Sequence, residues 1–170
     1  MIGALMITTF LVEHSALVPV FALLVAVLGV GVGFLVLRSR RYGRRVAWVL
    51  FALSVLPVFA LTLVPSGSAR DRVFCTVQFA LPTWGTVELL ANVALFFPPA
   101  FFAAIVTRRP VVVLVLASGG SALIEALQAL VPAIGRACDT NDWMMNTLGA
   151  DIGVLLAFGT TVLADRVRAS

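Results

Sequence analysis

The stretch ALVPVFALLVAVLGVGVGFLVL, residues 16–37, holds twenty-two residues without a single charge. A helix rises about 1.5 Å per residue, so this length crosses a hydrocarbon core of roughly 30 Å. Four more stretches of the same kind follow at residues 46–65, 86–106, 111–131 and 143–164, and the first is read as spanning residues 15–37. Inside a bilayer every backbone polar group must find a partner within the protein, which leaves bundled helices or a closed barrel. Barrel strands alternate apolar and polar residues over about ten positions, and these runs are long and continuous. The sequence therefore predicts an all-α, polytopic membrane bundle of about five transmembrane helices.

Composition agrees. The chain of 170 residues is 61% hydrophobic and 12% charged, with a mean hydropathy of +1.09. Soluble domains carry about 25% charged residues, so this chain has too little polar surface to coat a core in water. The net charge of +4 and pI near 10.5 come from twelve arginines and no lysine. Most of these sit in short runs between apolar blocks, which is the pattern of helix ends in a membrane and not of a nucleic-acid face. No nucleic-acid partner is expected.

The arginines also orient the chain. Nine lie in the segment at residues 38–45, in the turn Arg108-Arg109 and in the tail after residue 164; three lie in the loops at 66–85 and 132–142. Arginine-rich ends stay in the cytoplasm, which predicts an outer N-terminus and a cytoplasmic C-terminus. The first 12 residues are apolar but too few to span, and Glu13 and His14 interrupt them. They lack a basic n-region and a small-residue cleavage site, so the N-terminus is read as uncleaved. His14 is read as interfacial. Gly29 and Gly33 permit close helix approach, and are read as packing within the monomer. Pro57 is expected to kink the second span, and Pro98-Pro99 to bend or break the third. Trp48, Trp84 and Trp143 fall near span ends and are read as interfacial anchors.

Polar residues inside a membrane each need an explanation. In the third span Glu88 and Asn92 lie four apart, and in the fourth Ser118, Ser121, Glu125 and Gln128 follow a 3-4-3 spacing. Arg136, Asp139, Asp142, Asn146, Gly149 and Gly153 continue through the last loop and the fifth span. Residues three and four apart share a helix face. If the last helix starts early, capped around Thr140 or Asn141, its later positions form one stripe. Glu88, Asn92, Glu125, Gln128 and Asn146 then all lie within roughly 10 Å of the outer ends of their helices. The expectation is one shared polar site of Glu88, Asn92, Glu125, Gln128, Arg136, Asp139, Asp142 and Asn146. Gly149 and Gly153 would let the fifth helix pack tightly beside it. Asp151 falls about 140° around the helix from Asn146 and is expected to face elsewhere.

Cys75 and Cys138 are the only cysteines, and the predicted topology puts both in outer loops. An oxidising compartment favours a disulfide between them; two free thiols would follow if their Cα atoms stood more than about 7 Å apart.

The same residues carry a family resemblance. Asn92-x-x-x-Phe96-x-Pro98, Glu125-x-x-Gln128, Pro132 and the run Arg136-x-x-Asp139-x-x-Asp142-x-x-x-Asn146-x-x-Gly149 resemble the hallmarks of the VanZ-like family of small bacterial membrane proteins. The resemblance covers roughly residues 86–157, with Ala100 standing where the family pattern usually has glycine. It divides the chain into an N-terminal segment, 1–85, with two spans, and a VanZ-like core, 86–170, with three. It also implies a multi-pass protein of the bacterial cell membrane acting at the cell envelope, in a family named for a member that gives modest resistance to teicoplanin.

Three uses of the polar site follow. Arg136 can clamp a phosphate while the amides and acids read the rest of a lipid headgroup, so that the partners are membrane lipids or lipid-linked wall precursors. Glu88, Glu125, Asp139 and Asp142 could instead work as acid and base, or hold a hard cation, in an enzyme acting on a lipid phosphate or glycolipid. Finally, the polar groups could simply tie helices together. No catalytic triad or metal motif of recognised spacing is present, and no cofactor is expected; the residues leave the oligomeric state open.

Overall fold

The computed structural model describes residues 17–39, 41–65, 75–80 and 87–170. Glu13, His14 and Trp84 lie outside the described residues. Five helices account for almost all of the remainder: α1 Leu17–Arg38, α2 Gly43–Leu63, α3 Val87–Thr107, α4 Pro110–Leu130 and α5 Thr140–Ala169. All five are long and apolar enough to cross a membrane. Their boundaries fall within a few residues of the sequence expectation, except that α5 continues to Ala169. The apolar run sets each length, and the polar or proline-bearing flank stops it.

Pro98-Pro99 does not break α3, which stays helical from Val87 to Thr107. A proline removes the donor that would reach back four residues, and neighbouring helices can make good that loss. Here Pro99, Phe101 and Phe102 are buried within the bundle. Pro57 likewise sits inside a continuous α2. At the other extreme of regularity, Arg108 takes up φ 55° between α3 and α4. A left-handed residue of this kind reverses the chain in a connection with no room for a loop.

The largest helix–helix interface joins α3 to α5. The sequence causes this directly. Gly149 and Gly153 present bare backbone to α3: a Cβ at Gly149 would overlap the carbonyl oxygen of Val93, and one at Gly153 would come within 2.6 Å of the Phe97 carbonyl oxygen. Ala157, Thr160 and Ala164 extend the small-residue face and are buried with them. Phe97, Phe101, Phe102 and Ile105 of α3 are buried in the core, with Phe101 wholly inaccessible. Gly33 of α1 receives the Phe101 ring and Ile105, at 2.7 and 2.9 Å from the position its Cβ would take. The glycine pair of the first span therefore packs within the chain, as expected.

The outer helices differ in character. Only 11% of the central window of α1 or α2 is buried, against 50% for α3. Leu23, Leu24, Leu28 and Leu35 on α1 and Leu53, Leu56 and Leu61 on α2 remain exposed, which suits side chains whose solvent is lipid.

The antiparallel order gives the bundle two unlike ends. At one, Cys75 and Cys138 form a disulfide with Cα atoms 4.5 Å apart, as the sequence reading expected. Around it Cys75–Thr76 (β1) and Cys138–Asp139 (β2) make a short parallel pairing, Cys75 opposite Cys138 and Thr76 opposite Asp139. At the other end the arginine-rich turns meet, where Arg108 faces Asp165 at 3.2 Å and Arg168 donates to the Leu37 carbonyl oxygen. They are called here the disulfide end and the arginine end.

Candidate functional site

The polar residues singled out from the sequence gather at the disulfide end, where α2 and α4 finish and α3 and α5 begin. The start of α5 organises them. Asp139 is its N-cap: Oδ1 accepts from the Asn141 amide at 2.8 Å, satisfying one of the donors that a helix start leaves unpaired. The cap thus falls one residue before Thr140. The second oxygen of Asp139, Oδ2, accepts from Gln78 Nε2 at 2.6 Å, and its backbone amide donates to Glu125 Oε2 at 2.9 Å. One residue so ties α5 to α4 and to the strand after Cys75.

That strand is held further by side chains. Thr140 Oγ1 accepts from the Gln78 amide at 2.9 Å and donates to the Gln78 carbonyl oxygen at 2.8 Å. Asn141 Oδ1 accepts from the Ala80 amide at 2.8 Å. The disulfide, the short pairing and these bonds hold residues 75–80 across the start of α5.

Between α3 and α5, Asn92 Nδ2 donates to Asp142 Oδ1 at 2.7 Å. This charge-assisted bond is of the stronger kind. Asp142 also lies within electrostatic reach of Glu88, Asp139 and Arg136, while Glu125 senses Asp139 and Asp142. Between α4 and α5, Asn146 Nδ2 donates to Ser121 Oγ at 2.9 Å. Asn146 is 2% exposed, and its Oδ1 is buried without a hydrogen-bond donor among the described residues. Gln128, also buried, donates to the Thr62 carbonyl oxygen at 2.9 Å, one of the carbonyls that the end of α2 leaves unpaired.

The eight candidates therefore separate by depth. Glu125, Gln128 and Asn146 are buried; Asn92, Asp139 and Asp142 are half-buried; Glu88 and Arg136 are exposed. Arg136 forms no ion pair among the described residues; its side chain is exposed, in the connection between the Pro132–Ile134 turn and β2. Asp151 is half-buried on α5. No three of the described acids, cysteines or histidines lie close enough together to hold a metal ion.

Thr62 and Gln78 escaped the sequence reading. Thr140 and Asn141, read there only as cap candidates, also bond to residues 78 and 80 of a segment whose course no helical period reveals. Trp143 is not merely an interfacial anchor. Its Nε1 donates to both the carbonyl oxygen and Oγ of Ser118 at 3.2 Å, and Thr147 completes the group at 3.1 Å from Ser118 Oγ. The spacing Trp143–Thr147, four residues apart and opposite Ser118, was the available signal.

Residues 51–163 match the family model described as VanZ/LLP1. The chain belongs to the VanZ/LLP1 family. The match begins inside α2 and ends near the last turns of α5, and so reaches well beyond the 86–157 stretch that carries the motifs. It takes in the Thr62–Gln128 contact as well as the Asn92–Asp142 and Glu125–Asp139 contacts. No curated protein and no solved structure matches the chain. As a VanZ/LLP1 protein it is a multi-pass membrane protein by its five apolar helices.

Proposed function

We propose that the disulfide end binds the headgroup of an anionic lipid, or of a lipid-linked wall precursor, at the outer leaflet of the bacterial cell membrane. The observation that carries this is Arg136: an exposed guanidinium beside a cluster of acids, with no acid paired to it among the described residues. The acids are engaged elsewhere. Asp142 takes its bond from Asn92, Asp139 caps α5, and Glu125 receives the Asp139 amide. A planar guanidinium with no acid on it among the described residues suits a phosphate, which it grips with two parallel bonds. Exposed Glu88 and half-buried Asp142 stand close by for an amine or hydroxyls on the same headgroup. Beneath them Glu125, Gln128 and Asn146 form the floor and keep the helix ends in register.

Orientation is supported from two independent sides. Arginines concentrate at the opposite end, where the positive-inside rule puts the cytoplasm, and a disulfide persists in an oxidising compartment. An outer site of this kind suits a role at the cell envelope, of the sort that gives glycopeptide resistance.

The test uses the full chain in nanodiscs of phosphatidylcholine, titrated with phosphatidylglycerol or an undecaprenyl-linked precursor and followed by native mass spectrometry. Arg136→Ala is expected to weaken binding of at least one anionic lipid about tenfold, the loss of one charge-assisted contact. Unchanged affinity for every anionic lipid tried refutes the reading.

A further inference from the structure

At the arginine end a cavity of about 550 Å³ opens among α1, α2, α3 and α5. Its wall includes Arg44, Arg108 and Arg168 together with the apolar Val36, Ala47 and Ile105. We propose that this cavity is a binding site for the phosphate headgroup of an anionic phospholipid in the leaflet at that end, with the first part of an acyl chain against the apolar wall.

The charge balance points this way. Of the three guanidiniums, Arg108 faces Asp165 at 3.2 Å. Asp165 is the one acid that the described residues place at this end, so two positive charges in the wall have no counter-charge there. Arg168 is held by its bond to the Leu37 carbonyl oxygen, at the finish of α1. Arg44 is exposed and has no ion pair among the described residues. A held arginine and one with no ion pair among the described residues, both lining one cavity, can grip a phosphate together.

The backbone adds to the same field. Gly43 opens α2 and lines the cavity, and the first turn of α2 has neither an acidic residue nor a side-chain cap. The positive end of this helix dipole, with its unpaired amide donors, therefore stands at the cavity that the arginines line. Only glycine fits here, since a Cβ at Gly43 would overlap the Val36 carbonyl oxygen. The apolar wall distinguishes a lipid from a free anion: a soluble phosphate has no use for Val36, Ala47 and Ile105, and an acyl chain does. Basic cavities between membrane helices hold anionic headgroups in this manner.

The site is separate from the one proposed at the disulfide end, and the experiment keeps them apart. The full chain carrying Arg136→Ala, in phosphatidylcholine nanodiscs doped with phosphatidylglycerol, serves as parent, and retained lipid is counted by native mass spectrometry. The parent is expected to retain phosphatidylglycerol in preference to phosphatidylcholine, and Arg44→Ala added to it to lower that preference about tenfold. Arg44→Gln, which keeps the length of the side chain, replaces Arg44→Ala if the latter fails to melt like the parent. Loss of all preference in the parent itself, or a preference unmoved by the Arg44 substitution, overturns the proposal; the Arg136 comparison alone decides the outer site. Millimolar inorganic phosphate added to the parent is expected to leave the lipid in place, and its complete displacement would overturn the assignment to a lipid.

Discussion

Replacing Gly149 by alanine tests whether the α3–α5 contact is what holds the bundle together. The new Cβ would overlap the Val93 carbonyl oxygen and stand 2.9 Å from the Val93 Cα, while ordinary contact begins at 3.4 Å. Both atoms are backbone, so no side chain can swing aside, and the two helices must part by at least about half an ångström. Overpacking of this kind costs about 1–3 kcal/mol, set against a gain of up to about 1 kcal/mol from alanine's better helix propensity. The net expectation is destabilisation of about 1–2 kcal/mol. Gly159→Ala supplies the internal control: it lies on the same helix with nothing within 4 Å of its Cβ position, so alanine there is expected to be neutral or to stabilise by up to about 1 kcal/mol. In thermal melts of the purified protein followed by circular dichroism, Gly149→Ala should lose its fold roughly 5–10 °C below Gly159→Ala. The separation also draws Asn92, the neighbour of Val93, away from Asp142, so lipid binding at the disulfide end should fall with stability. Equal melting of the two variants would refute the view that glycine is present at residue 149 for close packing.

Two further outcomes test the disulfide end. Cys75→Ser removes a crosslink that closes a sequence separation of 63 residues and is expected to cost up to about 4 kcal/mol; a melting curve unchanged both by this substitution and by reduction of the parent would show that the side-chain bonds of Thr140 and Asn141 suffice. Glu125→Ala leaves the Asp139 amide without its acceptor, at a cost of about 1–3 kcal/mol, whereas Glu125→Gln retains an oxygen for that amide and is expected to lose less than half as much; denaturant titration ranks the two, and equal losses would mean that the charge of Glu125 matters more than its bond.

The five spans were legible because each is a near-continuous apolar run of bilayer length, and that physical requirement outweighs any local preference. Even Pro98-Pro99, which should interrupt a helix in water, could not do so in α3. The clustering of Asn92, Glu125, Asp139, Asp142 and Asn146 at one end was also legible, since their spacing and their distance from the span ends place them. Which helices would lie innermost was harder to read: α1 has the highest hydropathy at 2.9 and is among the least buried, whereas α5 has the lowest at 1.6. In lipid, hydropathy measures exposure to the solvent, and small residues mark the centre. The bonds made by Gln78, Thr140 and Asn141 depend on residues 75–80 lying over α5, a long-range pairing that no local pattern encodes. The exposure of Arg136 at the edge of the cluster reflects its loop, whose course the 3-3-4 spacing of a helix misrepresents.

The crosslink between Cys75 and Cys138 gives the molecule a closed covalent circuit. The polypeptide from one cysteine through α3, the Arg108-Arg109 turn and α4 to the other is a ring, with α1 and α2 as one tail and α5 as the other. A single break anywhere on the ring, at the exposed Arg108-Arg109 turn for instance, leaves one molecule under oxidising conditions and two after reduction. A break in the tail before Cys75 releases the first two helices at once. Backbone scission is thus tolerated covalently through α3 and α4, and not where the lipid-facing helices join them or along α5.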